Sequence, residues 1–60
     1  MEYRITINMD NAAFEDHPAE ALVLILRVQM NLLTLHGITP ERAIKDINGN
    51  TIGKAELVTE

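Results

Sequence analysis

The chain contains no cysteine and no tryptophan, and only one tyrosine, one phenylalanine and two prolines among 60 residues. Without cysteine there are neither disulfides nor thiolate metal sites, which suits a reducing compartment. The shortage of aromatics leaves little for bases to stack on. Five Lys and Arg against nine Asp and Glu give a formal charge of −4, so no basic patch is available to hold a phosphate backbone. Direct nucleic-acid binding is therefore not expected, and the acids are too scattered to argue a DNA mimic. The opening Met1-Glu2-Tyr3-Arg4 has neither a basic leader nor an apolar signal core, which points to the cytoplasm. Also missing are a nucleophile beside a base, a glycine-rich phosphate loop and zinc-ligand spacing. The expectation is a binding protein, not an enzyme, with no cofactor and no metal.

What the chain does have is a long apolar run from Ala21 to Leu35. Wound as a helix at roughly 100° per residue, it gathers Glu20, Arg27, Asn31 and Thr34 into one narrow polar stripe. The rest of the circumference divides into two apolar strips: Ala21, Leu24, Ile25, Val28, Leu32 and Leu35 on one side, and Leu22, Val23, Leu26, Met30 and Leu33 on the other. Gln29 and His36 lie between them. A surface helix ordinarily carries a single apolar stripe, so one strip is expected to pack on the protein's own sheet. The second, Leu22, Val23, Leu26, Met30 and Leu33, is then the expected oligomer interface, with a homodimer favoured. Burying five such side chains contributes on the order of 8–15 kcal/mol as an upper bound. Association costs roughly 4–15 kcal/mol, so self-association is feasible. Two alternatives stand beside it: both strips pack within one chain, or the helix spans a membrane. Fifteen residues interrupted by Arg27, Gln29 and Asn31 fall short of the roughly 20 a bilayer needs, so no membrane partner is expected.

Residues 2–9 alternate, with Tyr3, Ile5, Ile7 and Met9 on one side, as in a half-buried strand. Asp10 and Asn11 end it, Ala12-Ala13-Phe14 suits a single helical turn, and Phe14 is placed to plug the end of the core. His17 or Asp16 can cap the long helix, with Pro18 in its first turn, Glu20 near its positive end and Gly37 closing it. Pro40-Glu41-Arg42 suits one more helical turn. Residues 43–58 read as two strands joined at Asn48-Gly49, a strong hairpin signal. A two-residue turn would pair Ile47 with Asn50, whereas a longer, bulged turn shifts every facing pair by one. Ile44, Gly53, Ala55 and Leu57 are expected to face the helix, and Lys45, Ile52, Lys54 and Glu56 the open side. The resulting fold is a single α+β domain of β-α-β-β order. Its three-stranded antiparallel sheet has order 1-3-2 with a right-handed crossover, one long helix packs on one face, and strands one and two are left as edges, each a second route to dimerisation by sheet extension.

Asp46-Ile47-Asn48-Gly49-Asn50 begins like a calcium loop, but such a loop needs glycine sixth and a bidentate glutamate twelfth, where Thr51 and Leu57 stand. Asn and Asp are better explained by turn chemistry. Asp10, Glu15, Asp16 and His17 form the densest polar cluster, and loops before helices are rich in acids because these cap orphan amides. His17 and His36 sit about 28 Å apart along the helix, so they could meet only across an antiparallel dimer.

Two segments, Asp10-Asn11-Ala12-Ala13-Phe14-Glu15-Asp16 after a strand and Asp46-Ile47-Asn48-Gly49-Asn50-Thr51-Ile52-Gly53 after a helix containing Ile25-Leu26-Arg27, resemble a group of small bacteriophage and prophage proteins. The resemblance covers most of the chain and implies phage origin rather than a mechanism. Its relatives have a more charged second half of the helix, where this chain has Met30, Leu32, Leu33 and Leu35. The expected function is that of a phage accessory protein that binds a host protein. A bacterial immune system such as a CRISPR effector is a fitting target, its basic surface covered through the acidic residues Asp10, Glu15, Asp16 and Glu20 or through the exposed sheet face. An oligomeric sponge for a nucleotide signal, using Arg4, Arg27 or Arg42, and a purely structural assembly protein are the alternatives.

Overall fold

The computed structural model describes residues 1–59. Strand β1 (Glu2–Ile7) leads through a single 3-10 turn (Ala12–Phe14) into helix α1 (Pro18–His36), followed by strands β2 (Glu41–Lys45) and β3 (Thr51–Val58). The sheet order is β1-β3-β2 with both pairings antiparallel, as the α+β reading expects. Gly37 ends α1 with a φ of 72° and donates its N–H to the Leu33 carbonyl, a conformation that costs glycine least. His17 is the helix N-cap by position, but its side chain makes no capping bond. Glu41 and Arg42 open β2 and do not form the expected extra helical turn. Their backbone is drawn into the sheet by pairing with Glu56 and Ala55.

The hairpin uses the longer, bulged turn. Asp46 N–H donates to the Asn50 carbonyl and Gly49 N–H to the Asp46 carbonyl, with Gly49 at a φ of 83°, so Ile47, Asn48 and Gly49 form the loop. A second irregularity follows at once: Ile44 faces Gly53 while Lys45 faces Thr51, which leaves Ile52 unpaired on the bulged strand. The bulge turns Ile52 inward. It is buried in the core, not displayed on the open face as strict alternation required.

Cross-strand partners set the helix-facing rows of the sheet: Tyr3 beside Leu57, Ile5 beside Ala55 beside Arg42, and Ile7 beside Gly53 beside Ile44. Phe14, Ile25, Ile44, Ile52 and Ala55 form the buried core, with Tyr3, Ile7, Ala13 and Ala21 packed around it. The core is small. The radius of gyration is 11.9 Å, above the roughly 10 Å of a close-packed domain of this length, as expected of one helix laid across an open sheet.

The helix does not divide along the line drawn between its two strips. Its innermost residues are Ile25 and Gln29, flanked by half-buried Ala21, Leu22, Leu32 and Leu33. Gln29, only 3% exposed, sits at the centre of the packing face because its Oε1 accepts a hydrogen bond of 3.0 Å from Arg42 Nη2 on β2. That bond turns the seam between the strips toward the sheet. Leu24, Val28 and Leu35, expected in the core, are more than half exposed.

Candidate functional site

The charge excess is concentrated at one end of the molecule. On the open face of the sheet, Glu2, Glu41 and Glu56 are balanced by Arg4, Lys45 and Lys54, with Arg4 bonded to Glu2 and Lys54 Nζ 2.7 Å from Glu56. Asp10, Glu15, Asp16 and Glu20, by contrast, are all exposed in the connection from β1 to α1 and in the first turn of the helix. None of the four forms an ion pair among the described residues. They line the same end of the fold, with no convergence on a single point, and no metal-sized grouping of ligands occurs among the described residues.

Asn11 and Asp46 hold this end in shape. Asn11 Oδ1 accepts from Ala13 N–H at 2.6 Å, which starts the 3-10 turn, while its Nδ2 donates to Asp46 Oδ2. The other Asp46 oxygen accepts from the N–H groups of Asn48 and Asn50, each at 2.9 Å. The bond from Asn11, then those from Asn50 and Asn48, hold the Asp46 carboxyl below its ordinary range, against the opposing effect of burial. The segments 10–16 and 46–53 are thus stitched to each other. The stitch presents the acidic loop beside the hairpin tip, where Ile47 is 88% exposed.

The second surface is the helix. Of the expected interface residues, Leu22 and Leu33 are half-buried within the chain, whereas Val23, Leu26 and Met30 are 47%, 37% and 64% exposed. Glu20, Val23, Leu24 and Arg27, with Ala19, line a shallow hollow of about 360 Å³ on the outer side of the helix. With Pro18, Ala19, Glu20 and His36 added to the apolar run, α1 reaches 19 residues and, by length and composition alone, is long and apolar enough to cross a membrane. Its inner face is nonetheless bonded to the sheet through Gln29 and Arg42.

Sequence reading missed the Gln29–Arg42 contact, because nothing local in the chain ties two polar residues thirteen positions apart. Arg42 Nε and Nη1, Tyr3 OH and Thr39 Oγ1 are buried without hydrogen-bond partners among the described residues. Tyr3 and Arg42 open their strands and Thr39 follows α1, so all three lie toward the end of the sheet nearest the helix C-terminus, whose dipole favours a cation there. The three arginines invoked for a nucleotide pocket point to three different places: Arg4 to the open sheet face, Arg27 to the outer helix surface and Arg42 to the helix–sheet interior. They do not converge within one chain.

Comparison with protein-family models, curated proteins and solved structures found no match.

Proposed function

We propose that the protein is a phage-encoded accessory factor that acts in the bacterial cytoplasm by binding a host protein, as an inhibitor of a host immune system. The observation that carries this reading is the segregation of charge. Three unpaired carboxylates at one end, Asp10, Glu15 and Asp16, with Glu20 at their border on the first turn of the helix, stand next to an exposed apolar tip at Ile47 and suit a basic, partly apolar surface on another protein. Complementary fields of this kind speed encounter and set orientation, while apolar contacts slow release. Inhibition would then be steric, by covering a surface the target needs. The helix flank at Val23, Leu26 and Met30 serves a separate role, as the contact between two copies of the chain.

The test is affinity capture from host lysate with the tagged chain, alongside a variant carrying Asp10→Asn, Glu15→Gln and Asp16→Asn, which leaves the helix rim untouched. The expected result is one host protein recovered at stoichiometric yield by the native chain and lost with the variant. Its capture should weaken with salt, since exposed charges are screened within about 8 Å at physiological ionic strength. Equal recovery by both chains, or no stoichiometric host protein with either, refutes the reading.

A further inference from the structure

Ala19, Val23, Leu26, Met30 and Leu33 follow one another at intervals of four, three, four and three, the spacing of a coiled-coil seam. Glu20, Arg27 and Thr34 run along the outer rim of that seam at intervals of seven. Glu20 and Arg27 are opposite in sign and exposed, and neither has an ionic partner among the described residues. They stand about 10 Å apart along the axis, too far to pair within one helix. We propose that this seam binds a second copy of the chain as an antiparallel, two-fold symmetric helix pair, in the one register that sets each Glu20 against the partner's Arg27. The proposal rests on the reading that the helix flank is the contact between copies, and adds its orientation and register.

Two independent features select this register. In an antiparallel pair the seam residues meet in layers, and only shifts of whole heptads keep apolar residues facing one another. The chosen shift places Val23 level with the partner's Leu26 and Ala19 level with the partner's Met30. Met30 is the most exposed of the large seam residues, and Ala19 and Val23 form the seam side of the hollow that Glu20, Leu24 and Arg27 complete, so a long side chain meets the two smallest residues of the seam. Both ends of the contact then carry a Glu20–Arg27 pair. One heptad further along, Leu26 would face the partner's Met30, but Val23 would fall on half-buried Leu33 and Ala19 on the partner's Gly37, leaving a gap. That shift would also set Arg27 against the partner's Arg27. A parallel pair would align Glu20 with Glu20 and Arg27 with Arg27.

Symmetry makes the register testable by charge exchange. Glu20→Arg leaves each copy with two arginines on the rim, and Arg27→Glu leaves two glutamates, so each variant repels itself. Mixed one to one, they restore an Arg–Glu contact at both ends. With exposed pairs contributing modestly, each single variant is expected to dimerise about 10- to 100-fold more weakly than the native chain. The mixture should return to within a few fold of native. Sedimentation equilibrium from 10 µM to 1 mM, with one variant mass-labelled, reads all three, and circular dichroism confirms that each variant is folded. A native chain that stays monomeric throughout overturns the contact itself. A native dimer whose two variants fail to recombine, or an Arg27→Glu variant that dimerises more tightly than native, overturns the register while leaving the helix contact standing.

Discussion

Gly53→Ala is the substitution the sheet tolerates least. Gly53 lies in the central strand between Ile7 and Ile44, and a Cβ built on it would stand 1.9 Å from the Thr6 carbonyl oxygen and 3.1 Å from Ile7 Cα. A relaxed carbon–oxygen contact needs about 3.3 Å, so β1 would have to retreat by more than an ångström. No flexible side chain can absorb the movement, because both obstacles are backbone. The bond from Asn8 N–H to the Ile52 carbonyl, 2.7 Å long and adjacent, would be stretched out of range. Overpacking costs about 1–3 kcal/mol and a lost backbone bond about 0.5–1.5 kcal/mol. The stiffer unfolded chain returns roughly 0.4–1 kcal/mol. The net loss of about 1–4 kcal/mol is a large part of the roughly 3–9 kcal/mol that a chain of this size holds. At about 4–8 °C per kcal/mol, the thermal midpoint followed by circular dichroism should fall by about 5–30 °C. Gly37→Ala is the contrasting case: at φ 72° and ψ −164° the backbone lies where essentially only glycine is at ease, and nothing lies within 4 Å of the added carbon, so its cost of about 1–3 kcal/mol is backbone strain alone and leaves the sheet pairing intact. A Gly53→Ala midpoint within two degrees of native would refute the close approach of β1 and β3.

Other perturbations probe the remaining contacts. Asn11→Ala removes the cap on Ala13 N–H and the tie to Asp46; it should cost about 0.5–2 kcal/mol from the cap alone, and hydrogen exchange should accelerate in residues 10–16 and 46–50 together. Because folding lowers the pKa of Asp46, its contribution is complete above the unfolded value near 3.8 and is lost as pH falls through the folded value; Asp46→Asn should flatten the melting temperature's dependence on pH below about 4. Gln29→Leu alone leaves the Arg42 guanidinium without its partner and should cost about 1.5–3 kcal/mol in urea titration. Adding Arg42→Met removes the stranded charge and should bring stability to native or about 1–4 kcal/mol above it. Leu26→Glu with Met30→Glu places charge on the exposed seam, and light scattering should report a folded monomer at concentrations where the native chain is dimeric.

Local chemistry made most of the fold legible. Alternation at Tyr3, Ile5 and Ile7 marked β1, Asn48-Gly49 marked the hairpin, Gly37 marked the end of the helix, and the short connections left one sensible sheet order. What local patterns could not give was set by contacts between distant residues. Strict alternation put Ile52 outside, because a bulge inserts one residue without any change in composition to announce it. Hydrophobicity put Leu24, Val28 and Leu35 inside, because it assigns a glutamine to the surface and had no means of knowing that Arg42 would hold Gln29 at the centre of the interface. The acidic loop was visible as a set of residues, but its rigidity was not: the tie between Asn11 and Asp46 joins two turns thirty-five positions apart.

The displaced helix changes the energetics of association as well as its geometry. With Leu22 and Leu33 already half-covered by their own chain, the seam still offers Val23, Leu26 and Met30, whose exposed fractions together amount to about one and a half side chains per copy. At roughly 1.5–3 kcal/mol for each large side chain fully buried, two copies contribute about 4–9 kcal/mol, against an association cost of roughly 4–15 kcal/mol. The apolar term and the cost are therefore of the same size, and small polar terms decide the outcome. Two rim ion pairs at about 0.2–1 kcal/mol each are minor beside a large interface and decisive beside this one. On the proposed contact, therefore, the register of Glu20 and Arg27, not the total area of exposed leucine and valine, would govern how two copies meet. If the proposed pair forms, a seam of this strength should give a dimer that weakens on dilution and with added salt, and sedimentation equilibrium at two ionic strengths reads both.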